Sequence, residues 1–163
     1  MVRRQKLATR TGGHRRGAAA VECAVLMPLF LMLALGTWEM GNALTVGTKL
    51  AAAIREGGRL ASMDYKNTLK PGQTINQKVV QDIQSFLTAS GVPGNKVTVT
   101  ITYTDGPSAG QNFDLSNQAN YLQLFTIKAQ VSYADVSTFP MNYMKGQKVE
   151  AKLAYRLGRN ALN

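Results

Sequence analysis

The side chains that could do chemistry in this sequence are few and far apart. The chain has 163 residues with nine acidic side chains, one histidine and one cysteine. General acid–base catalysis and metal binding both need carboxylates that converge, most often from closely spaced positions. The acids after Glu39 are instead scattered along the chain: Glu56, Asp64, Asp82, Asp105, Asp114, Asp135 and Glu150. We therefore expect no catalytic acid pair and no metal site.

The single copies of histidine and cysteine exclude several further kinds of site. His14 lies in a basic N-terminal tail, which makes a Ser–His–Asp triad implausible. A lone Cys23 excludes an internal disulfide and any multi-cysteine zinc or iron–sulfur site. Neither Gly57-Gly58 nor the 106–110 stretch has the Lys and helix start of a phosphate-binding loop. The sequence predicts a chain that is not an enzyme and that has no cofactor or small-molecule substrate.

Glu22 is the most informative acid, because it stands at the edge of a long apolar run. Residues Cys23–Trp38 carry no charge, and adding residues 18–22 gives 21 residues with this one acid. As a helix, 21 residues are about 31 Å long, close to the hydrocarbon thickness of a bilayer. An acid in such a segment is costly and usually has a partner or a task. Residues 18–38 are predicted to form a transmembrane helix in a lipid bilayer.

The charge of the chain indicates the orientation of this helix. The formal net charge is +10, and six of the 19 basic residues lie in the first 16 positions, where there is no acid. The positive-inside rule predicts a cytoplasmic leader at 1–17, the span at 18–38 and an extracytoplasmic domain at 39–163. A basic tail can also bind DNA, but no reading helix accompanies it, so we expect no nucleic-acid partner.

Three other interpretations of the apolar run remain open. It could be the core helix of a soluble domain, although the rest of the chain is short for such a core. It could be a secretory signal peptide, cleaved near the small residues Asn42 and Ala43. It could also be a plain single-span anchor without special chemistry at its N-terminus.

The spacing from Gly17 to Glu22 suggests how the acid could be used. Cleavage after Gly17 would make Ala18 the new N-terminus and would put Glu22 at position five. The ammonium of Ala18 and the carboxylate of Glu22 on a neighbouring subunit could then pair in a low dielectric and set the stagger between helices. Alternatively, Glu22 extends to the headgroups and has no such role.

The sequence from Arg15 to Leu44, RRGAAAVECAVLMPLFLMLALGTWEMGNAL, resembles the N-terminal segment of TadE-like pseudopilins, the minor pilins of the tight-adherence (Tad/Flp) pilus system. The matching positions are Gly17, Val21, Glu22, Pro28, Gly36, Glu39 and Gly41. Residues 52–61, AAIREGGRLA, are similar to a second stretch of that family. One departure is Cys23, which stands where the family usually has an aromatic residue.

The resemblance implies a processed precursor and a set of partners. A prepilin peptidase would cut between Gly17 and Ala18 on the cytoplasmic side, and Glu22 would serve helix register and assembly. The other implied partners are pilin or pseudopilin subunits, the pilus assembly machinery and the bacterial inner membrane. The implied function is a non-catalytic role in Tad pilus assembly. The alternative is a single-span envelope protein whose outer domain binds a partner unrelated to pili.

The remaining sequence predicts an α+β domain. One helix is expected from Ala18 to Ser62, the first half transmembrane, and a second helix opens at a Thr74–Gln77 capping box and ends at Gly91. Period-two alternation predicts three antiparallel strands: Val97–Tyr103, Phe125–Tyr133 and Val149–Leu157. Residues 110–120 are expected to be a surface loop and residues 138–146 a long turn. Helix first and sheet second is also the layout of pilin-like subunits.

The small pair Gly57-Gly58 permits another element to come close to the long helix. This pair has two interpretations: a surface for packing another subunit, or ordinary packing of the helix on the sheet of its own domain. The second is favoured.

Overall fold

The architecture is taken from a computed structural model, which describes residues 13–62, 69–137, 144 and 146–158. Most of the basic leader and most of the turn predicted at 138–146 lie outside the described residues. The contacts divide the chain into two units, Met1–Trp38 and Glu39–Asn163.

The first helix, α1, runs from Gly13 to Ala61 and includes Pro28. It begins five residues before the predicted start at Ala18. Arg and Ala are strong helix formers, and they fill positions 15–20 apart from Gly17, so local propensity favours this extension. In the second unit α1 buries an apolar stripe at spacings of three or four, whose members are Val46, Leu50, Ala53, Ile54, Gly57 and Ala61.

The second helix, α2, spans Ile75–Ala89 and opens with the predicted capping box. The Gln77 backbone N–H donates to Thr74 Oγ1 at 3.2 Å, and the Thr74 N–H donates to Gln77 Oε1 at 3.0 Å. These two bonds satisfy donors that a helix start otherwise leaves without partners. The buried face consists of Ile75, Val79, Ile83 and Leu87, while Phe86 is 40% exposed.

Three strands form an antiparallel sheet in the order β1-β2-β3. Their bounds are β1 Thr98–Tyr103, β2 Leu124–Ser132 and β3 Lys148–Arg156. Ile127 lies opposite Ile101 on one side and Leu153 on the other, so apolar positions share one face. The α+β fold is confirmed. Tyr133, predicted at the end of the second strand, instead begins a 3₁₀ turn, Tyr133–Asp135.

The glycine pair of α1 packs inside the second unit. A Cβ added at Gly57 would lie 2.4 Å from Ile83 Cδ1, and one at Gly58 would lie 2.3 Å from Cζ of Tyr155. Both distances are far below van der Waals contact, so only glycine permits α1 to approach α2 and β3 this closely. This supports internal packing over a subunit-packing surface.

The description of residues 110–120 as a surface loop was wrong for its apolar members. Phe113 is fully buried and Leu115 is 1% exposed. The Asn76 side chain fixes this segment, because it donates to the Phe113 carbonyl and accepts from the Leu115 N–H. Two apolar residues within a polar stretch have no period-two or helical pattern, so the sequence offered little sign of their burial.

Candidate membrane segment and assembly residues

The first unit is an apolar helix with almost nothing packed on it. Its large side chains are roughly half to three-quarters exposed, on all sides of the helix: Val21, Val25, Leu26, Met27, Leu29, Phe30, Leu31, Met32, Leu33 and Trp38. Soluble monomers rarely expose an apolar surface of this extent. The segment therefore needs an apolar environment outside the chain.

This exposure contradicts the interpretation as a soluble core helix. The most apolar part of α1 has a mean hydropathy of 2.2, and none of it is buried. Within the described residues α1 is the one helix long and apolar enough to cross a membrane. The chain thus has the single apolar helix of a single-pass membrane protein.

The three residues singled out for processing and register lie together near the start of this segment. Gly17, Ala18 and Glu22 are all helical and exposed. Ala18 and Glu22 are four residues apart, which places them on one face of the helix, about 6 Å apart along its axis. A Cβ at Gly17 would meet nothing within 4 Å. Access to the Gly17–Ala18 bond is not limited by packing of the described residues.

The signal-peptide interpretation fits the structure poorly. Asn42 and Ala43 lie in the middle of α1. The Asn42 side chain donates to the Val136 carbonyl at 3.0 Å, and Ala43 is 8% exposed. A signal peptidase requires an accessible chain at its cleavage site, whereas this position is held by the folded domain.

Glu39 is an unusual feature of the second unit. Its side chain is 3% exposed, and neither carboxylate oxygen has a hydrogen-bond partner among the described residues. The Tyr133 hydroxyl donates to the Glu39 main-chain carbonyl at 3.1 Å, not to the carboxylate. Glu39 fits the pattern of the TadE-like family, but its burial was not predicted from the sequence. Its spacing to Ala43, Val46 and Leu50 places it on the buried stripe, which was the available signal.

Two acids of the second unit, Glu56 and Glu150, pair with adjacent cations. Arg59 donates to Glu56 on the same helix, and this hydrogen bond holds the pKa of the Glu56 carboxyl below its ordinary value. Lys128 Nζ lies 2.6 Å from Glu150 Oε2 and similarly lowers the pKa of the Glu150 carboxyl. These are surface ion pairs, which contribute little to stability.

The described part of the second unit brings no reactive groups together. It contains no group of three or more His, Cys, Asp or Glu side chains that could hold a metal ion. An open cleft of about 590 Å³ is lined at one end of the sheet by Tyr103, Asp105, Leu122 and Arg156, among others. Tyr133 is buried and Tyr103 and Tyr155 are half-buried, so these rings pack in the domain instead of forming an exposed stacking platform.

An exposed apolar helix followed by an α+β domain defines a membrane-anchored class of protein. Residues 17–59 match a family model described as TadE-like protein, which confirms the resemblance found in the sequence. Comparison with curated proteins and with solved structures gave no match. Over these residues the chain is similar to TadE-like proteins, and this similarity together with the apolar helix supports a membrane protein related to the Tad pilus.

Proposed function

We propose that this chain is a non-catalytic pseudopilin that takes part in assembling a Tad-type pilus. It is anchored in the bacterial inner membrane by residues 18–38, with the leader in the cytoplasm and residues 39–163 outside. The observation that carries this proposal is that the segment matching the TadE-like family contains the unburied apolar segment. The TadE-like match at 17–59 begins at Gly17 and covers the whole of the unburied apolar segment.

The first step of the proposed mechanism is cleavage by a prepilin peptidase. Hydrolysis of the Gly17–Ala18 peptide bond releases the leader with a new carboxyl group and leaves Ala18 with a free ammonium group. The leader carries six basic residues and no acid before Gly17, so cleavage removes most of the net charge. The mature chain then begins with the apolar helix itself, which can pack sideways against other helices.

The second step is registration of neighbouring helices through Glu22. Once the helices lie in lipid, the Glu22 carboxylate is expensive to leave without a partner. The Ala18 ammonium of a neighbouring subunit is a cation at nearly the same depth, because the two positions are only four residues apart. Pairing them fixes the axial offset of one helix against the next, and an offset of even one turn separates the charges by about 5 Å more.

Mass spectrometry of the membrane form tests the processing step. Co-expression with a prepilin peptidase should give a chain that begins at Ala18, and a Gly17→Leu variant should keep its leader. The matched control is Gly36→Ala, in the same helix, where an added Cβ also meets nothing within 4 Å and cleavage should proceed. A chain that begins at Met1 or Val2 with and without the peptidase would contradict this step and favour the plain single-span anchor.

Replacing Glu22 tests the register step. Glu22→Gln should leave membrane insertion and cleavage intact but reduce pilus assembly, because the amide cannot pair with the ammonium as a charge. Glu56→Gln, an exposed acid on the same helix outside the span, is the control and should assemble normally. Unchanged pilus formation by the Glu22→Gln variant would contradict the proposed role.

A further inference from the structure

The two edges of the sheet are treated differently. The C-terminal half of the outer edge of β1 is covered by residues 110–113, whose backbone makes hydrogen bonds with Ile101 and Tyr103. The Phe113 N–H donates to the Ile101 carbonyl and the Gly110 N–H to the Tyr103 carbonyl, both at 3.0 Å. The other edge strand, β3, has no such cover among the described residues. Its nine residues form the longer edge.

The backbone pattern shows which groups of β3 face outward. The backbone N–H of Tyr133 donates to the Gln147 carbonyl, and the backbone N–H of Leu157 donates to the Gln123 carbonyl. The odd-numbered residues of β3 therefore bond to β2. The even-numbered residues therefore direct their N–H and C=O groups away from the sheet: Lys148, Glu150, Lys152, Ala154 and Arg156. Within the described parts of the chain, no hydrogen bond reaches these backbone groups.

The same residues carry a concentration of positive charge on the solvent face. Lys148, Lys152 and Arg156 are exposed and spaced four apart, and none has a salt bridge within the described residues. Lys152 lies directly opposite Lys128 on β2, an arrangement of like charges that destabilises a sheet. Glu150, bonded to Lys128, is the single acid beside them. An anionic partner would relieve the excess charge.

The inner face of β3 is incompletely covered. On β2 every inward side chain is fully buried, namely Phe125, Ile127, Ala129 and Val131. On β3 the corresponding residues Val149, Ala151, Leu153 and Tyr155 are only half-buried. A strand added at this open edge would bury the apolar surface beside it with its own inward side chains.

We propose that the β3 edge binds an extended segment of a partner protein, which adds a fourth strand whose acidic residues face Lys148, Lys152 and Arg156. An added strand lies about 4.8 Å from β3 and alternates its side chains between the two faces. Its inward residues would be apolar, to cover Val149 and Leu153. On the solvent face an acid at every fourth position matches the cations, with a neutral residue opposite Glu150.

A second copy of this chain is a poor occupant of the edge. Two β3 strands paired antiparallel about Lys152 would place Lys152 against Lys152 and Lys148 against Arg156. Like charges directly opposite each other are unfavourable, so a self-paired edge centred on Lys152 is disfavoured. The charges that disfavour this pairing are the ones that favour an acidic strand. Binding at this edge involves residues 148–156 alone and goes beyond the proposed pilus function, because it does not depend on cleavage of the leader.

A synthetic peptide with the matching pattern is the probe. The sequence Glu-Val-Thr-Val-Glu-Val-Thr-Val-Glu, with blocked ends, should bind the full-length protein in detergent micelles, as measured by fluorescence anisotropy. Binding should slow amide hydrogen exchange at Lys148, Glu150, Lys152, Ala154 and Arg156, as followed by NMR. The peptide with Lys in place of Glu should bind at least tenfold more weakly.

Two variants and one control separate the charge from the backbone contribution. The double variant Lys148→Glu with Lys152→Glu should weaken binding at least tenfold. Ala154→Pro removes an outward N–H that the sheet does not use and should also weaken binding. This variant tests the proposal even if the double variant fails to fold. Thr98→Glu with Thr100→Glu, on the solvent face of β1, should leave affinity within twofold.

Four results would overturn the proposal. These are the absence of peptide binding, equal binding of the Lys-containing peptide, exchange slowed at β1 instead of β3, and unchanged affinity in both the charge-reversed and the proline variants.

Discussion

At the scale of single residues, Glu39 and Glu22 present opposite electrostatic problems. Glu22 is exposed at the start of an apolar segment, and a neighbouring subunit supplies its proposed partner. Glu39 is buried within the second unit, and its carboxylate has no hydrogen-bond partner in the part of that unit that the structure describes. A buried polar group without a partner reduces stability by about 1–3 kcal/mol, and more when it is charged. Glu39 therefore lowers the stability of the domain that surrounds it.

Replacing Glu39 with an apolar residue of similar length should stabilise the protein. Glu39→Met is expected to raise the free energy of unfolding by about 1–3 kcal/mol, because it removes the cost of the unpaired carboxyl and retains the packing. Urea unfolding of the full chain in detergent, followed by circular dichroism, measures the change. Glu56→Met on the exposed side of the same helix is the control and should change stability little. A less stable Glu39→Met variant would mean that the carboxyl makes a stabilising interaction.

At the scale of elements, the approach of α1 to β3 depends on Gly58. A methyl group there would press on the Tyr155 ring, which is held in place because its hydroxyl donates to the Ile54 carbonyl at 3.0 Å. Gly47, eleven residues earlier in the same helix, is different. A Cβ there would lie 3.7 Å from Val149 Cγ1, which is ordinary van der Waals contact.

Alanine substitutions at these two glycines should change stability in opposite directions. Gly58→Ala gains helix propensity of about 1 kcal/mol but overpacks the interface, and we expect a net loss of about 1–2 kcal/mol in the free energy of unfolding. Gly47→Ala should gain about 0.5–1 kcal/mol. Urea midpoints of the two variants, compared with the parent chain, measure both effects. Equal stabilisation by the two substitutions would contradict the close packing at Gly58.

The ion pair between β2 and β3 has a predictable pH dependence. Lys128 lowers the pKa of the Glu150 carboxyl in the folded chain, so the pair stabilises the fold above the ordinary carboxyl pKa of about 4.3. That contribution is lost as the pH falls through the lowered value. Lys128→Met should raise the pKa of Glu150 toward its ordinary value, measured by ¹³C NMR titration of the carboxyl. Lys78→Met, which removes the partner of Asp82, should leave it unchanged.

The elements with a regular pattern were predictable from the sequence, and the irregular contacts were not. The helical stripe from Val46 to Ala61 and the alternation in the three strands each repeat several times. Several residues therefore indicate the same buried face. Phe113 and Leu115 are buried because Asn76, 37 residues before Phe113, holds their backbone. A contact between residues so far apart in the sequence cannot be predicted from a local sequence pattern. The end of β2 was misplaced for the same reason, since Tyr133 turns away from the strand to meet Glu39.

The candidate site was predictable to a different degree at each residue. Apolar length and flanking charge predict the span, and the spacing from Gly17 to Glu22 predicts a processing and register site; both stay predictions. The structure adds that Gly17, Ala18 and Glu22 are accessible on one helix. The open β3 edge was not predictable, because it depends on which strand ends the sheet and which loop covers the opposite edge.

At the scale of the whole chain, the protein consists of an apolar helix that needs lipid and a folded domain with its own core. The two units meet at Trp38 and Glu39 in the sequence. The asymmetry of charge around the helix predicts that the folded domain is on the extracytoplasmic side. This orientation gives each part its proposed task, since the helix packs among other helices and the domain meets partners outside.

The location of the folded domain is therefore the most direct test. In a Cys23→Ser background, Thr100→Cys places one thiol at an exposed position of β1. A membrane-impermeant maleimide should label it in intact spheroplasts as fully as after lysis, with the protein recovered in the membrane fraction. Labelling only after lysis, or recovery of the unprocessed chain as a soluble cytosolic protein, would contradict the account.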